Sequence, residues 1–170
     1  MFLKKYKRVI EYKIAKENDF ERLFEIRLIA MTESFSVFGS FNPDRLRESF
    51  RKDFIPKDTK WIIVDGIKIG FYILSECENG MNLTHFYILP QYQGTGIGSE
   101  VMNEIFEICD GLKKDLKLTA IQKSRSNNFY LRHGFTFIGS EKWSDCYIRK
   151  TNKRVITYTY NGTRAHDEGD

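Results

Sequence analysis

Gly94, Gly96 and Gly98 alternate along the chain between an apolar run ending at Leu89-Pro90 and a long amphipathic stretch beginning at Ser99. Glycine admits backbone conformations that other residues avoid, and it lets a ligand approach the main chain closely. The first N–H groups of a helix have no partners within the helix. The helix dipole adds about half a unit of positive charge there, so such a junction is suited to an anion, and a pyrophosphate above all. Thr95 and Ser99 could add hydroxyl donors. A P-loop is excluded, because no Gly-Lys-Ser/Thr follows. A dinucleotide fingerprint needs G-x-G-x-x-G early in the chain and an acid ending the next strand. Here the spacing is G-x-G-x-G, the unit comes late, and Asp115 precedes the next strand. On these residues alone, a tight turn that holds nothing stays open.

The elements around the turn follow from periodicity. A first strand is expected over Val9 to Ala15. Asn18 then caps a helix with Glu21 as capping-box partner. Phe20, Leu23, Phe24, Arg27, Leu28 and Met31 recur along it at helical spacing. Asn42-Pro43-Asp44 opens a second helix carrying Leu46 and Phe50 and ending before Pro56. Trp61 to Val64 and Ile67 to Leu74 form a hairpin about the Asp65-Gly66 turn. A third strand spans Met81 to Leu89 and ends at Pro90. After the glycine turn, Val101, Met102, Ile105, Phe106, Ile108, Cys109 and Leu112 make one helical stripe, with Gly111 as its stop. Leu116 to Ile121 is a strand, Ser124 to His133 a short helix, and Phe135 to Ile138 and Cys146 to Ile148 two more strands. The order β-α-α-β-β-β-α-β-α-β-β implies a single α/β domain over residues 9–150. Its sheet should be mixed and mostly antiparallel, with helices on both faces and one parallel pair joined by a right-handed crossover. Residues 151–170 read as a C-terminal extension whose polar end is flexible.

Bulk properties set the class. The 170 residues are 41% hydrophobic and 29% charged, as in a soluble globular domain. The net charge of +4 is too mild and too interspersed for a nucleic-acid binder. Lys4, Lys5, Lys7 and Arg8 form the one compact basic cluster, read as a solvated arm. Cys77, Cys109 and Cys146 lack the spacing of a disulfide framework or a zinc site. No apolar run suits a membrane span, and no signal peptide is evident, so a cytoplasmic protein without metal is expected.

The stretch from Leu83 to Ser99 closely resembles the signature of the GNAT family of N-acetyltransferases. That family's Gln/Arg-x-x-Gly-x-Gly/Ala pattern is met by Gln93, Gly96 and Gly98. Phe129 to Phe135 resembles its aromatic-Tyr-x-x-x-Gly-Phe segment, and the order of elements is similar as well. The resemblance implies acetyl-CoA as cofactor and an amine-bearing acceptor, either a small molecule or a peptide. It implies that the strands over Met81–Leu89 and Leu116–Ile121 splay apart. Pantetheine would pair with the backbone near Phe86, Tyr87 and Ile88, and the pyrophosphate would rest on Gln93, Gly94, Thr95, Gly96, Ile97, Gly98 and Ser99. Ser126 stands at a small-residue position that keeps a helix near the cofactor. Family members often pair, so a homodimer is among the expectations.

Roles also follow from the resemblance. Tyr130 matches the general-acid position, and a phenol with a pKa near ~10 can protonate a leaving thiolate. Many members carry a glutamate where this chain has Asn82. By strand alternation Thr84 shares the face of Asn82 and His85 points the other way, unless a bulge redirects it. His85 titrates in a useful range; a water held by Asn82 or by backbone groups is the alternative base, and Glu76, Glu78 and Glu33 are remoter ones. Lys123 stands where members often have asparagine. The acceptor pocket should be lined by Arg27, Met31, Glu33, Ser34 and the segment from Phe35 to Asn42, with Phe35, Phe38 and Phe41 as an aromatic wall. A catalytically silent acyl-CoA-binding domain that senses the cofactor or docks a partner and, further off, a nucleotide-binding module are the competing readings.

Overall fold

A computed structural model describes residues 8–38 and 42–151, with side chains described outside 33–38. Seven strands form one sheet in the order β1-β2-β3-β4-β5-β7-β6. They are β1 Ile10–Ile14, β2 Thr59–Val64, β3 Ile67–Cys77, β4 Gly80–Ile88, β5 Leu116–Ile121, β6 Thr136–Glu141 and β7 Ser144–Arg149. Every neighbouring pair is antiparallel except β4 and β5. The helices are α1 Phe20–Phe38, α2 Pro43–Asp53, α3 Ile97–Gly111 and α4 Ser126–Arg132. This is the mixed, mostly antiparallel α/β sheet that the element order implies.

Two cores lie on the two faces of the sheet. On one, Phe20, Leu23, Phe24 and Ile26 of α1 and Phe50 of α2 pack on Trp61, Ile63, Phe71 and Ile73. Phe50 is fully buried at its centre, with ring centroids 5.3 Å from Phe20 and 5.7 Å from Phe71. Burial of such a side chain contributes roughly 1.5–3 kcal/mol. On the other face, Val101, Met102, Ile105 and Cys109 of α3 cover Ile62, Tyr72, Leu83, Leu116 and Leu118, and Tyr130 of α4 joins them.

The local signals are corrected in four places. At the entry to α1 the Lys16 N–H donates to the Asp19 carboxylate at 2.8 Å, so Asn18 and Glu21 do not form the cap; Glu21 instead accepts from Arg47 of α2. Leu112 is half exposed rather than part of the α3 stripe. Gly111 is the last residue of α3, but the left-handed position after it belongs to Lys113, with φ 56°. Arg8 is not a solvated arm: its guanidinium donates to the Thr95 carbonyl at 3.1 Å and pairs with Glu100 at 2.5 Å. Lys4, Lys5, Lys7 and residues 152–170 lie outside the described residues. Among the described residues no helix is long and apolar enough to cross a membrane.

Candidate active site

The parallel pair at the centre of the sheet is short. β4 meets β5 only at Met81–Leu116, Asn82–Lys117 and Leu83–Leu118. Beyond these, β4 continues to Ile88 and β5 to Ile121 without pairing. A gap therefore opens between them. Main-chain groups of β4 that face it, alternating past Leu83, have no strand partner and need one from a ligand or water.

A bulge lies at the mouth of this gap. In the β3–β4 ladder Leu74 faces Leu83 while Ile73 faces His85, so Thr84 is the extra residue. The insertion reverses the alternation that follows it. Leu83, Phe86 and Ile88 consequently point to the α3 side, whereas Asn82, His85 and Tyr87 share the α1–α2 side. Simple alternation set His85 opposite Asn82, and the bulge overturns that expectation.

The geometry of the glycine turn leaves main-chain donors that could meet an anion. Gly94 and Gly96 have φ of 70° and 87°, conformations that disfavour any side chain. Gly96 precedes α3, and no side chain caps the helix. The first helical bond runs from the Glu100 N–H to the Gly96 carbonyl, and the N–H groups of Ile97, Gly98 and Ser99 have no partner among the described residues. Glu100 would repel an anion at this helix start, but Arg8 neutralises it and draws the turn's outer carbonyl. Gln93 closes the turn onto the strand, its Nε2 donating to the Ile88 carbonyl at 2.7 Å.

The hydroxyls here are already committed. Thr95 donates to the Tyr92 carbonyl at 2.6 Å. His133 Nδ1 lies 2.7 Å from the Phe129 carbonyl, which can only accept, so that nitrogen carries a proton. Its Nε2 lies within hydrogen-bonding distance of the Ser99 hydroxyl at 2.9 Å. The Thr95 hydroxyl is thus not the free donor expected from the sequence, Ser99 is engaged with His133, and the turn offers main-chain N–H groups as donors. The Ser99–His133 bond also ties α3 to α4. A Cβ at Gly98 would touch the Phe129 ring at 3.4 Å, so the two helices meet closely there.

Tyr130 faces the gap from the α4 side. Only 8% of it is exposed, and it packs on Phe129, Phe135 and Tyr147. Its hydroxyl has no hydrogen-bond partner among the described residues. Burial raises its pKa first, and the nearby Tyr87 raises it further, so the group stays a neutral phenol. Ser126 bonds Ser124 at 2.7 Å at the start of α4. Asn127 locks the same loop: its Nδ2 donates to the carbonyls of Ile121 and Ser124, and its Oδ1 accepts from Tyr147 at 2.8 Å. Lys123 is exposed and left-handed, with φ 61°.

The α1–α2 side carries a buried polar cluster. Arg27 is buried, donates to the Leu46 carbonyl at 2.8 Å and lies 5.6 Å over the Phe50 ring, so it fastens α1 to α2. Met31 is buried in the same layer. Phe35 lies on α1 with its side chain outside the described residues, as do Glu33, Ser34 and Phe38, and residues 39–41 lie outside altogether. His85 is 5% exposed, with Nε2 3.1 Å from the Asp53 carboxylate and Nδ1 3.3 Å from the Tyr87 hydroxyl. Burial lowers its pKa and the bond to Asp53 opposes that, leaving it lowered. The same bond draws Asp53 below the usual carboxylate range. Glu76 is taken by Lys114, and Glu78 lies on the far β3–β4 turn. A separate recess of about 740 Å³ lies between the start of α1 and α2, lined by Glu17, Arg47 and Arg51 among others.

Four residues of this region were not legible in the sequence. Asp53, Arg8, Asn127 and His133 act through partners that no short spacing reveals. Among the described residues no group of His, Cys, Asp or Glu is placed to hold a metal.

The gap, the uncapped helix start and the left-handed glycines together fit a long ligand with a pyrophosphate and an extended amide arm. Comparison with known proteins agrees. The family model described as acetyltransferase (GNAT) domain matches residues 30–151. Among solved structures, the PaiA N-acetyltransferase of Thermoplasma acidophilum in complex with coenzyme A is 18% identical, with a TM-score of 0.68 over 84% of this chain and 99% of its own. A GNAT-family acetyltransferase of Staphylococcus aureus Mu50 is 16% identical, with a TM-score of 0.65 over 85% and 100%. The ribosomal-protein-S18-alanine N-acetyltransferase of Escherichia coli is 12% identical, with a TM-score of 0.63 over 86% and 99%. These likenesses show the shared fold. The comparison with curated proteins finds no match. The family match covers well over half of the chain, and with it the protein belongs to the GNAT acetyltransferases, acyl-CoA-dependent acyltransferases that use acetyl-CoA.

Proposed function

We propose that the protein moves an acetyl group from acetyl-CoA to a primary amine by direct attack, with Tyr130 as general acid. Bound acetyl-CoA supplies an activated thioester. The N–H groups from Gly94 to Ser99 hold its pyrophosphate, and the gap-facing backbone of Phe86, Tyr87 and Ile88 orients its arm. Ser126 lets α4 lie close. The Tyr130 Oη donates its proton to the departing sulfur. The observation that carries this reading is the buried Tyr130 phenol, without a hydrogen-bond partner among the described residues and held protonated beside a gap between strands. The acceptor reaches the gap from the α1–α2 side, where Arg27 and Met31 support the wall. Small-molecule and peptide amines both suit it. A cytoplasmic setting and a homodimer belong to the same reading.

The test is Tyr130→Phe, assayed for CoA release with spermidine, kanamycin, a peptide with a free N-terminus and Nα-acetyl-lysine amide. Loss of a general acid should lower kcat by about 10²-fold or more. Acetyl-CoA affinity should stay within about twofold, because the hydroxyl acts only as the proton moves. An unchanged kcat removes Tyr130 from the mechanism. The absence of a carboxylate at Asn82 keeps a second reading in view, an acyl-CoA sensor, which would bind acetyl-CoA and turn over none of these amines.

A further inference from the structure

We infer that Tyr87, His85 and Asp53 form a proton relay that deprotonates the incoming ammonium through the Tyr87 hydroxyl. This rests on the amine-transfer reading above and supplies the base that Asn82 cannot. The chemistry of the three groups fixes the direction. A carboxylate only accepts, so His85 Nε2 carries the proton that bonds Asp53 at 3.1 Å. Nδ1 is then the acceptor and takes the Tyr87 hydroxyl at 3.3 Å. Both ring nitrogens are engaged, so His85 offers no atom to an amine directly. Arg27 of α1 also reaches the Tyr87 oxygen and occupies one acceptor position there. The open capacity of the chain is the remaining lone pair of that oxygen. Tyr87 is only partly buried, and it lies near enough to Tyr130 to raise the pKa of that phenol. The relay thus ends opposite the proposed acid, on the acceptor side of the sheet.

The step balances. An N–H bond of the ammonium breaks, and its electron pair stays on nitrogen. The proton passes to the Tyr87 oxygen as the phenol proton forms a bond to His85 Nδ1. The products are a neutral amine, an intact phenol and an imidazolium facing the Asp53 carboxylate. That carboxylate is 41% exposed and gives the ring a route to solvent for release of the proton. The residues facing His85 are Asp53 from α2, Arg27 from α1 and Tyr87 from its own strand, with the Phe50 ring edge-on at 5.1 Å. Arg27 disfavours the imidazolium and Asp53 favours it. The Thr84 bulge is what brings His85 and Tyr87 onto this face together.

Tyr87 would touch the amine, whereas His85 and Asp53 act through it, so the test needs a pH profile. Wild-type kcat/KM for whichever of the four amines turns over should fall on the acid side as pH drops through the lowered His85 pKa, below about 6.5. Tyr87→Phe should lower kcat by about 10²-fold. His85→Gln keeps an acceptor for Tyr87 but cannot titrate, so its acidic limb should disappear. Asp53→Asn removes the favourable partner, so its limb should move to lower pH. If His85→Gln fails to fold, Asp53→Asn carries the test, since its side chain reaches solvent. Turnover with an acidic limb unmoved in the foldable variants overturns the relay alone. No turnover of any amine by the wild type overturns the transfer reading and the relay with it.

Discussion

Gly70 sits on β3 opposite Ile88, at the end of β4 that has parted from β5. A Cβ built there would lie 2.2 Å from the Tyr87 carbonyl oxygen and 3.0 Å from the Ile88 Cα. Ordinary contact starts at 3.4 Å, and both obstacles are main chain, so no rotamer relieves the clash. In Gly70→Ala the end of β4 must therefore move by about 1 Å, an overpacking that costs roughly 1–3 kcal/mol. Weakening one or two ladder hydrogen bonds adds roughly 1 kcal/mol. The total of about 2–4 kcal/mol corresponds to a fall in Tm of roughly 5–15 °C for a domain of this size. Urea and thermal melts followed by tryptophan fluorescence read it, because Trp61 is 1% exposed while Trp143 is 61% exposed and reports little. Gly111→Ala is the control: nothing lies within 4 Å and the position is helical, so it should be neutral or stabilising by about 0.5–1 kcal/mol. A Gly70→Ala protein that melts within about 2 °C of wild type would refute the packing argument. Acetyl-CoA binding should weaken in parallel, since the displaced residues line the gap.

Lys123 holds a left-handed conformation at φ 61°, which an ordinary side chain occupies at a cost of about 1–2 kcal/mol and asparagine at less. Lys123→Asn should raise stability by about 0.5 kcal/mol in urea melts, and a loss of stability would show that the lysine has a role this geometry misses. The cysteines should separate by accessibility. Cys77 is exposed, while burial removes Cys109 from solvent and pushes its thiol up to about 11. Native alkylation at pH 7.5 followed by mass spectrometry should label Cys77 and spare Cys109 until the protein unfolds, and early labelling of Cys109 would contradict the α3 packing.

The glycine turn was readable because its demands are local. Positive φ at Gly94 and Gly96 is written in residue type, and the amphipathic stripe of α3 sits next to it. The order of strands and helices was likewise carried by periodicity. The face of His85 was not, because a single inserted residue at Thr84 reverses it, and nothing in Asn82-Leu83-Thr84-His85 marks the bulge. Asp53 reaches His85 from 32 positions away, and Arg8 reaches Thr95 from 87. Such pairs depend on how α2 and β1 dock, which residue spacing does not encode. The engagement of the Thr95 and Ser99 hydroxyls is hidden from the sequence for the same reason. Their partners, a Tyr92 carbonyl and His133, become neighbours only after the turn and α4 are in place.

The central claim is acetyl transfer to an amine at the parting of β4 and β5. The most direct measurement is steady-state CoA release by the wild-type protein with acetyl-CoA and each of the four amines, with mass spectrometry of the products. Amine-dependent CoA release with a matching acetylated product is the expected result. Tight acetyl-CoA binding with no product from any amine would contradict it and leave a protein that holds the cofactor without using it.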